Sequence, residues 1–428
     1  MTIRSSITVL ILTAACICFA AGCDTNPTNP PSGGPSNPPS GYIGSAACAA
    51  CHPNIAADHL AHGHANVLTQ IQGLPPGFPA ANPKAGVPDP PPGMTWSDIA
   101  YVVGGYNQRA NFIDRQGFLI TTGVDAVDAQ WNLDFSLGGH PAGFVEYEPE
   151  QTTPKPYDFD CFRCHTTGPA DVAANGGLRQ GNLPGMGGTW AEDGVQCEAC
   201  HGPGRNHVAA PSPQTIIVDT SAEACARCHA RSPDQQEVQA ADGFILNYQQ
   251  APELRASGGH ADFDCTFCHM SHVSTKIDES KGQLNGCTAC HSQQNLAFHE
   301  GIIFVRGDYV ETVTCESCHM PFATRSGASA TPDVNDDLAR IGDVRTHIFR
   351  IETAANDFNF MFDNADDTVR MDAQGRAAVT VDFVCLRCHN GLGRAFPLTT
   401  QGARVIADGM HATAQGADAE SSDAARQK

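Results

Sequence analysis

Apolar positions along this chain come in short bursts rather than long periodic runs, and each change of pattern marks a different kind of segment. Residues 1–22, MTIRSSITVLILTAACICFAAG, carry one charge at Arg4, a short apolar run and small residues before Cys23. That is the layout of a secretory signal peptide rather than a membrane span. DTNPTNPPSGGPSNPPSG, Asp24 to Gly41, holds no run able to bury a core and reads, with Cys23, as a semi-extended Pro/Ser/Gly-rich tether over 23–41. From residue 42 on, AACAACHPNIAADHLAHGHANVL and TSAEACARCHA are Ala-rich and predict short helices. Gly73 to Gly93, GLPPGFPAANPKAGVPDPPPG, is a loop by composition. ANFIDRQGFLITT puts β-prone runs on both sides of DRQG, and VRMDAQGRAAVTVDF repeats the arrangement around DAQG, so each predicts a hairpin. The body, 42–428, is therefore expected to be mainly α and irregular with small β-hairpin insertions, the first within a β-rich insertion over about 94–157.

The chemistry lies in a repeat that this pattern only frames. Eight CxxC pairs follow residue 40, and each ends in His. In order they are Cys48, Cys51 and His52; Cys161, Cys164 and His165; Cys197, Cys200 and His201; Cys225, Cys228 and His229; Cys265, Cys268 and His269; Cys287, Cys290 and His291; Cys315, Cys318 and His319; and Cys385, Cys388 and His389. Composition alone would put His at any one such place about 4% of the time. Two thiols three residues apart form thioethers to one porphyrin, and the next residue sets an imidazole under the iron, which is the c-type haem attachment pattern. A zinc ribbon has no need of His after every pair, and a disulfide framework has no need of CxxC. Eight motifs imply eight covalently held haems c.

Composition then narrows the picture. About 51 residues per motif are too few for a separate core around each haem, so the haems themselves are expected to form the core of one continuous array whose folding depends on them. The net charge of −21 argues against nucleic acid as a partner. Of nineteen cysteines, Cys16, Cys18 and Cys23 lie outside the motifs, and the first two leave with the signal. AAGC resembles a lipoprotein box, so Cys23 is expected to carry a lipid that anchors the exported protein to a bacterial membrane, in the periplasm or at the cell surface.

Ten histidines lie outside the motifs: His59, His62, His64, His140, His207, His260, His272, His299, His347 and His411. Eight irons need one each for six-coordination. In CEACHGPGRNH, His201 holds one face of its own iron, and His207, six residues on, could reach the other face only by passing round the porphyrin rim. It is therefore expected to bind a neighbouring iron, as is His272, three residues after His269 in CTFCHMSH. Such a strap fixes the spacing of two cofactors. Met270 and Met320, which follow motif histidines, read as packing residues.

CAACHPNIAADHLAHGHANV, VQCEACHGPGRNH and GGHADFDCTFCHMSH are similar to segments of the c554-type multihaem cytochromes and their octahaem relatives, hydroxylamine oxidoreductase and octahaem tetrathionate reductase among them. The likeness extends loosely from Tyr42 to His411. It implies distal ligand roles for His64 and His207, and where this chain has His59 and His62 the family more often has Trp and Ser. With those two set aside, His64, His140, His207, His260, His272, His299, His347 and His411 remain for eight irons, His140 lying in the Gly-rich LGGHPAG. A full set would close both faces of every iron, and the expected function is then electron transfer in a respiratory chain, between a quinol-linked donor and an extracytoplasmic acceptor, with no catalysis. The alternative is an octahaem oxidoreductase acting on a nitrogen or sulfur oxyanion or on hydroxylamine at one open-faced haem; all eight motifs end in His, so a lysine-ligated CxxCK haem is absent. A third reading, a conductive filament subunit, sits awkwardly with a lipid tether.

Overall fold

Between the first and second motifs the chain builds one antiparallel sheet. Its strands are β1 (Leu68–Gln70), β2 (Ile99–Gly104), β3 (Arg109–Asp114), β4 (Phe118–Leu119), β5 (Gln130–Asn132), β6 (Gly143–Val145) and β7 (Lys155–Pro156). The path runs β1-β2-β3-β4-β7, with β5 paired to β3 and β6 to β5. The computed structural model describes residues 41–231, 235–331, 340–354, 358–407 and 410–411. The expected signal peptide, Cys23 and the tether up to residue 40 lie outside the described residues.

The DRQG hairpin forms between β3 and β4, with Ile113 opposite Leu119. Gly117 takes φ 88° there, and a Cβ would meet Leu183 and Met186 at 3.0 Å, so the turn admits only glycine comfortably. Both faces of the sheet are covered because side chains alternate along each strand. Phe112 faces a cluster with Ile99, Val102 and Ile120. Ile113 faces the other way, into a cluster with Tyr101, Tyr157, Phe162, Met186 and Trp190. Phe162 belongs to the second motif, so the sheet is the platform on which that motif stands.

The second expected hairpin does not form. DAQG makes its tight turn, with Gly375 N donating to Asp372 O at 2.9 Å. The flanking runs diverge: Val369 pairs with Phe362 antiparallel, whereas Val379 pairs with Ile351 in parallel. Val381–Val384 then coils into a fully buried helical turn that leads into the eighth motif. Burial of all four of its side chains overrides their β propensity.

Outside the sheet the helices among the described residues are short, eight residues at most. Isolated helices of that length are marginal in water, so their stability has to come from what they pack against. Two further apolar clusters support the second half of the chain, one around Phe244, Ile348, Phe362 and Phe383 and one around Leu137, Phe304, Ile341 and Leu386. Among the described residues no helix is long and apolar enough to cross a membrane.

Candidate functional site

Each motif forms about one helical turn. The backbone N–H of the histidine donates to the carbonyl of the first cysteine in His52, His269, His291 and His389, at 2.9 to 3.0 Å. Positions i, i+3 and i+4 share one helix face, so both thiols and the imidazole point the same way. Side chains cap these turns: Asp158 accepts from Cys161 N, Ser221 from Ala224 N, and Thr314 with Ser317 forms a reciprocal box at the seventh motif. None of the sixteen motif cysteines is paired in a disulfide.

Burial favours the neutral imidazole at His165, His347 and His64, and a metal ligand must be neutral. Burial pushes His165 down to about 4, with the Arg109 charge adding to the effect, and His347 down to about 3. His64 lies well below its usual range for the same reason. The tautomers follow from Nδ1. Carbonyl oxygens of Ile217, Phe349 and Phe396 face Nδ1 of His201, His319 and His389 at 2.7 to 2.8 Å, and the Gln250 side-chain oxygen faces that of His229 at 2.9 Å. Ser212 O and Asn295 O do the same for His207 and His411 at 3.2 Å. A carbonyl only accepts, so Nδ1 carries the proton and Nε2 keeps its lone pair for a metal.

Seven motif histidines face a second histidine from elsewhere in the chain. The pairs are His52 with His207, His229 with His64, His201 with His272, His269 with His347, His291 with His260, His319 with His411 and His389 with His299. Ring centres lie 5.7 to 6.4 Å apart. A nitrogen sits about 2.0 Å from a first-row metal and its ring centre about 1.1 Å beyond, so two imidazoles sharing one iron place their centres about 6 Å apart. His319 and His411 aim their Nε2 atoms at each other across 3.4 Å. Among the described residues no three His, Cys, Asp or Glu converge on a metal site, which suits an iron that brings four ring nitrogens of its own. The cysteines and histidines of all eight motifs line one connected cavity of about 5040 Å³. The residues present therefore fit haem c.

The two straps connect different motifs. Gly202 takes φ 70° where a Cβ would sit 2.9 Å from Ile217, and the turn it makes swings the helix Arg205–Ala209 so that His207 meets His52 of the first motif. Glu198, 2% exposed, clamps that turn by accepting from Gly204 N at 2.6 Å while also holding Gly44 N at 2.8 Å. His272 meets His201, not His269.

His165 stands apart. All eighteen histidines lie among the described residues, and none pairs with it. The rings that approach it are those of Tyr157, at 6.5 Å and 16°, and Tyr248, at 6.3 Å and 67°. Tyr248 holds φ 64°, a costly backbone conformation for a bulky residue and one that clusters at functional sites. His140, expected as the eighth distal ligand, is exposed and stacks on Phe135 at 6.4 Å and 4°. Its backbone exchanges two hydrogen bonds with Phe135, which pins it on a tight turn. His59 Nε2 is taken by Val195 O at 3.0 Å, and His62 Nδ1 accepts from His64 N at 3.0 Å, so both serve as packing and hydrogen-bonding residues beside His64. Nothing in a single sequence marked Tyr157, Tyr248 or Arg109 as neighbours of His165.

Thiols of different motifs come together and give the motifs an order in space. Cys48 lies near Cys197, Cys164 near Cys228, Cys225 near Cys265 and Cys287 near Cys315. Cys200 lies near Cys225, Cys268 near Cys290, and Cys385 near Cys318. The series runs one, three, four, five, six, seven, eight, and motif two joins it at motif four.

The pattern of a family described as cytochrome c554 and c-prime matches residues 145–202, the span that holds the second and third motifs. The multiheme cytochrome MtrA of Shewanella baltica is 25% identical over 159 residues, 33% of this chain and 40% of that protein, so the match covers less than half of that curated relative. Among solved structures, the octaheme sulfite reductase MccA of Wolinella succinogenes superposes with a TM-score of 0.51 at 16% identity, over 82% of this chain and 66% of that one. The outer cell wall cytochrome OcwA superposes with a TM-score of 0.48 at 16% identity over 86% of both chains. The motifs and ring pairs agree with the family pattern and with the MtrA match, and the chain resembles multihaem c-type cytochromes.

Proposed function

We propose that this chain is an exported octahaem oxidoreductase, in which seven bis-histidine haems deliver electrons and the eighth, on Cys161, Cys164 and His165, keeps one face open to a small oxyanion. The observation that carries this reading is the pairing itself: seven motif histidines meet a partner imidazole at the spacing of a shared iron, and His165 does not. The closed carrier needed His140 as a ligand, and His140 stacks on Phe135 instead.

When bound, haem c supplies one-electron transfer, and an iron with a free position supplies a Lewis-acid site. The chain's own residues do the rest. Cys161 and Cys164 would hold haem c covalently, and His165, kept neutral by burial, would offer its imidazole to the iron. Arg109 contributes a positive charge felt at His165, which favours an anion close by. Tyr248 offers a phenol within the same cavity, positioned by its strained backbone. Motif four, whose Cys228 lies near Cys164, ties the open site into the series. The reading includes a signal peptide over 1–22, a lipid on Cys23 and a tether that holds the body at a membrane, where a quinol-linked donor supplies electrons.

Low-temperature EPR and magnetic circular dichroism of the oxidised protein test the proposal. One high-spin iron in eight is expected, perturbed by sulfite or nitrite and unchanged in His140→Ala. A wholly low-spin protein that gains a high-spin signal in His140→Ala restores the closed carrier.

A further inference from the structure

We propose that Tyr157 is a positioning residue that sets the electron-donating strength of His165, and so makes the iron of the second motif easier to reduce and a better acceptor for an anion than a carbonyl partner would. The inference rests on the open-face reading of that motif. Its own observation is a difference among hydrogen-bond partners. In the third, seventh and eighth motifs the Nδ1 of the histidine faces a backbone carbonyl, and in the fourth it faces a glutamine side-chain oxygen. In the second it faces the hydroxyl of Tyr157 at 3.1 Å.

That hydroxyl is firmly placed. Tyr157 is fully buried, and its ring packs edge-on against Trp190 at 6.2 Å and obliquely against Phe162 at 6.0 Å. Its backbone donates to Gly185 O at 3.0 Å and accepts from Gly187 N at 2.8 Å, which fastens it beside the sheet. With Nε2 committed to iron, Nδ1 carries the proton and donates it to the phenol oxygen. A phenol oxygen is a weaker acceptor than an amide oxygen, because the ring delocalises its lone pair. It draws the Nδ1 proton less, so His165 stays closer to neutral imidazole and pushes less charge onto the metal. Hydrogen bonding around the axial ligand is one of the protein's means of tuning a haem. A weaker push favours the ferrous state and leaves more Lewis acidity for a ligand on the opposite face.

Tyr157→Phe removes the acceptor and keeps the ring in its cage, and Trp190→Phe disturbs the cage and keeps the hydroxyl. Three readouts on the holoprotein separate tuning from packing: the midpoint potential of each haem, the iron–histidine stretch of the ferrous high-spin haem by resonance Raman, and the spectral titration with sulfite. In Tyr157→Phe the potential of one haem is expected to rise, its iron–histidine stretch to fall in frequency and sulfite to bind more tightly, with the other seven haems unmoved. Trp190→Phe is expected to leave the stretch in place. If both variants shift it alike, or if Tyr157→Phe shifts nothing, Tyr157 only packs. A wild-type protein with no high-spin haem defeats the open-face reading separately. The tuning claim is then read on the low-spin EPR signals, where one must move in Tyr157→Phe for it to stand.

Discussion

Glu311 shows how much can rest on a side chain that no motif announces. Its carboxylate is nearly buried and accepts from Arg387 at 2.5 and 3.1 Å, from Arg345 at 2.9 Å and from Ser317 Oγ at 2.5 Å. Arg387 is an inner residue of the eighth motif and Ser317 of the seventh, so one carboxylate locks two haem-binding turns together. Burial alone would raise the Glu311 carboxyl, but the bonds and charge of Arg387, with Arg345 and Ser317, reverse this and hold it well below the usual range. Glu311→Gln strands a guanidinium that is 2% exposed, and removing one partner of a buried pair costs about 3–5 kcal/mol. Denaturant unfolding followed by circular dichroism at pH 7 should show a loss of that size. Because the folded carboxyl titrates below the unfolded one, its stabilisation is complete above pH ~4.3 and declines as pH falls further, so the gap between variant and wild type should narrow in acid. An equal gap at pH 3 and pH 7 would contradict the ion-pair account. Sequence alone distinguishes neither Glu311 from the other acidic residues nor Tyr157 from the other tyrosines, since both roles arise from long-range packing.

Elements were more legible than single residues, because the motif carries its own geometry. Cysteines at i and i+3 with His at i+4 dictate one helical turn, and the sequence shows every such turn in this chain. For the straps, rim geometry predicts that His207 and His272 leave their own motif, and only the fold says which ring each one faces. His207 arrives at His52 and His272 at His201. His207→Ala should therefore turn the haem of the first motif high spin, and His272→Ala that of the third. Each assignment can be checked by combining the variant with loss of the first or third motif histidine and asking whether the two changes fall on one EPR signal. Additive loss of two separate low-spin signals would show that the pair shares no iron. The hairpins illustrate the limit of local pattern. DRQG and DAQG are equally good turns, yet only the first has both flanking runs on the same sheet. The second run joins the strand of Ile351, far away in the chain, and then enters a buried helical turn.

At the scale of the whole molecule two kinds of stability coexist. The sheet of β1 to β7 pairs its own backbone groups and buries apolar side chains on both faces, so it holds the contacts of a small self-sufficient core. The motif turns hold few such contacts: several of their residues are exposed, Cys51, His52, Cys200 and His291 among them, and they line the cavity instead of filling it. Their helical turns, three to eight residues long, fall below the length at which a helix persists alone. The cofactor must supply what they lack, since binding that occurs only in the folded state is folding free energy. The chain produced without haem attachment, followed by hydrogen exchange, should then behave as two materials. Amides of Ile99–Gly104 and Arg109–Asp114 should keep measurable protection, whereas those of the turns at Cys197–His201, Ala222–His229 and Cys315–His319 should exchange at nearly unprotected rates. With haem attached both sets should be slow. Uniformly fast exchange in the haem-free chain would mean that the sheet, too, needs haem attachment at the second motif, and uniformly slow exchange would mean that apolar packing alone holds the motif turns.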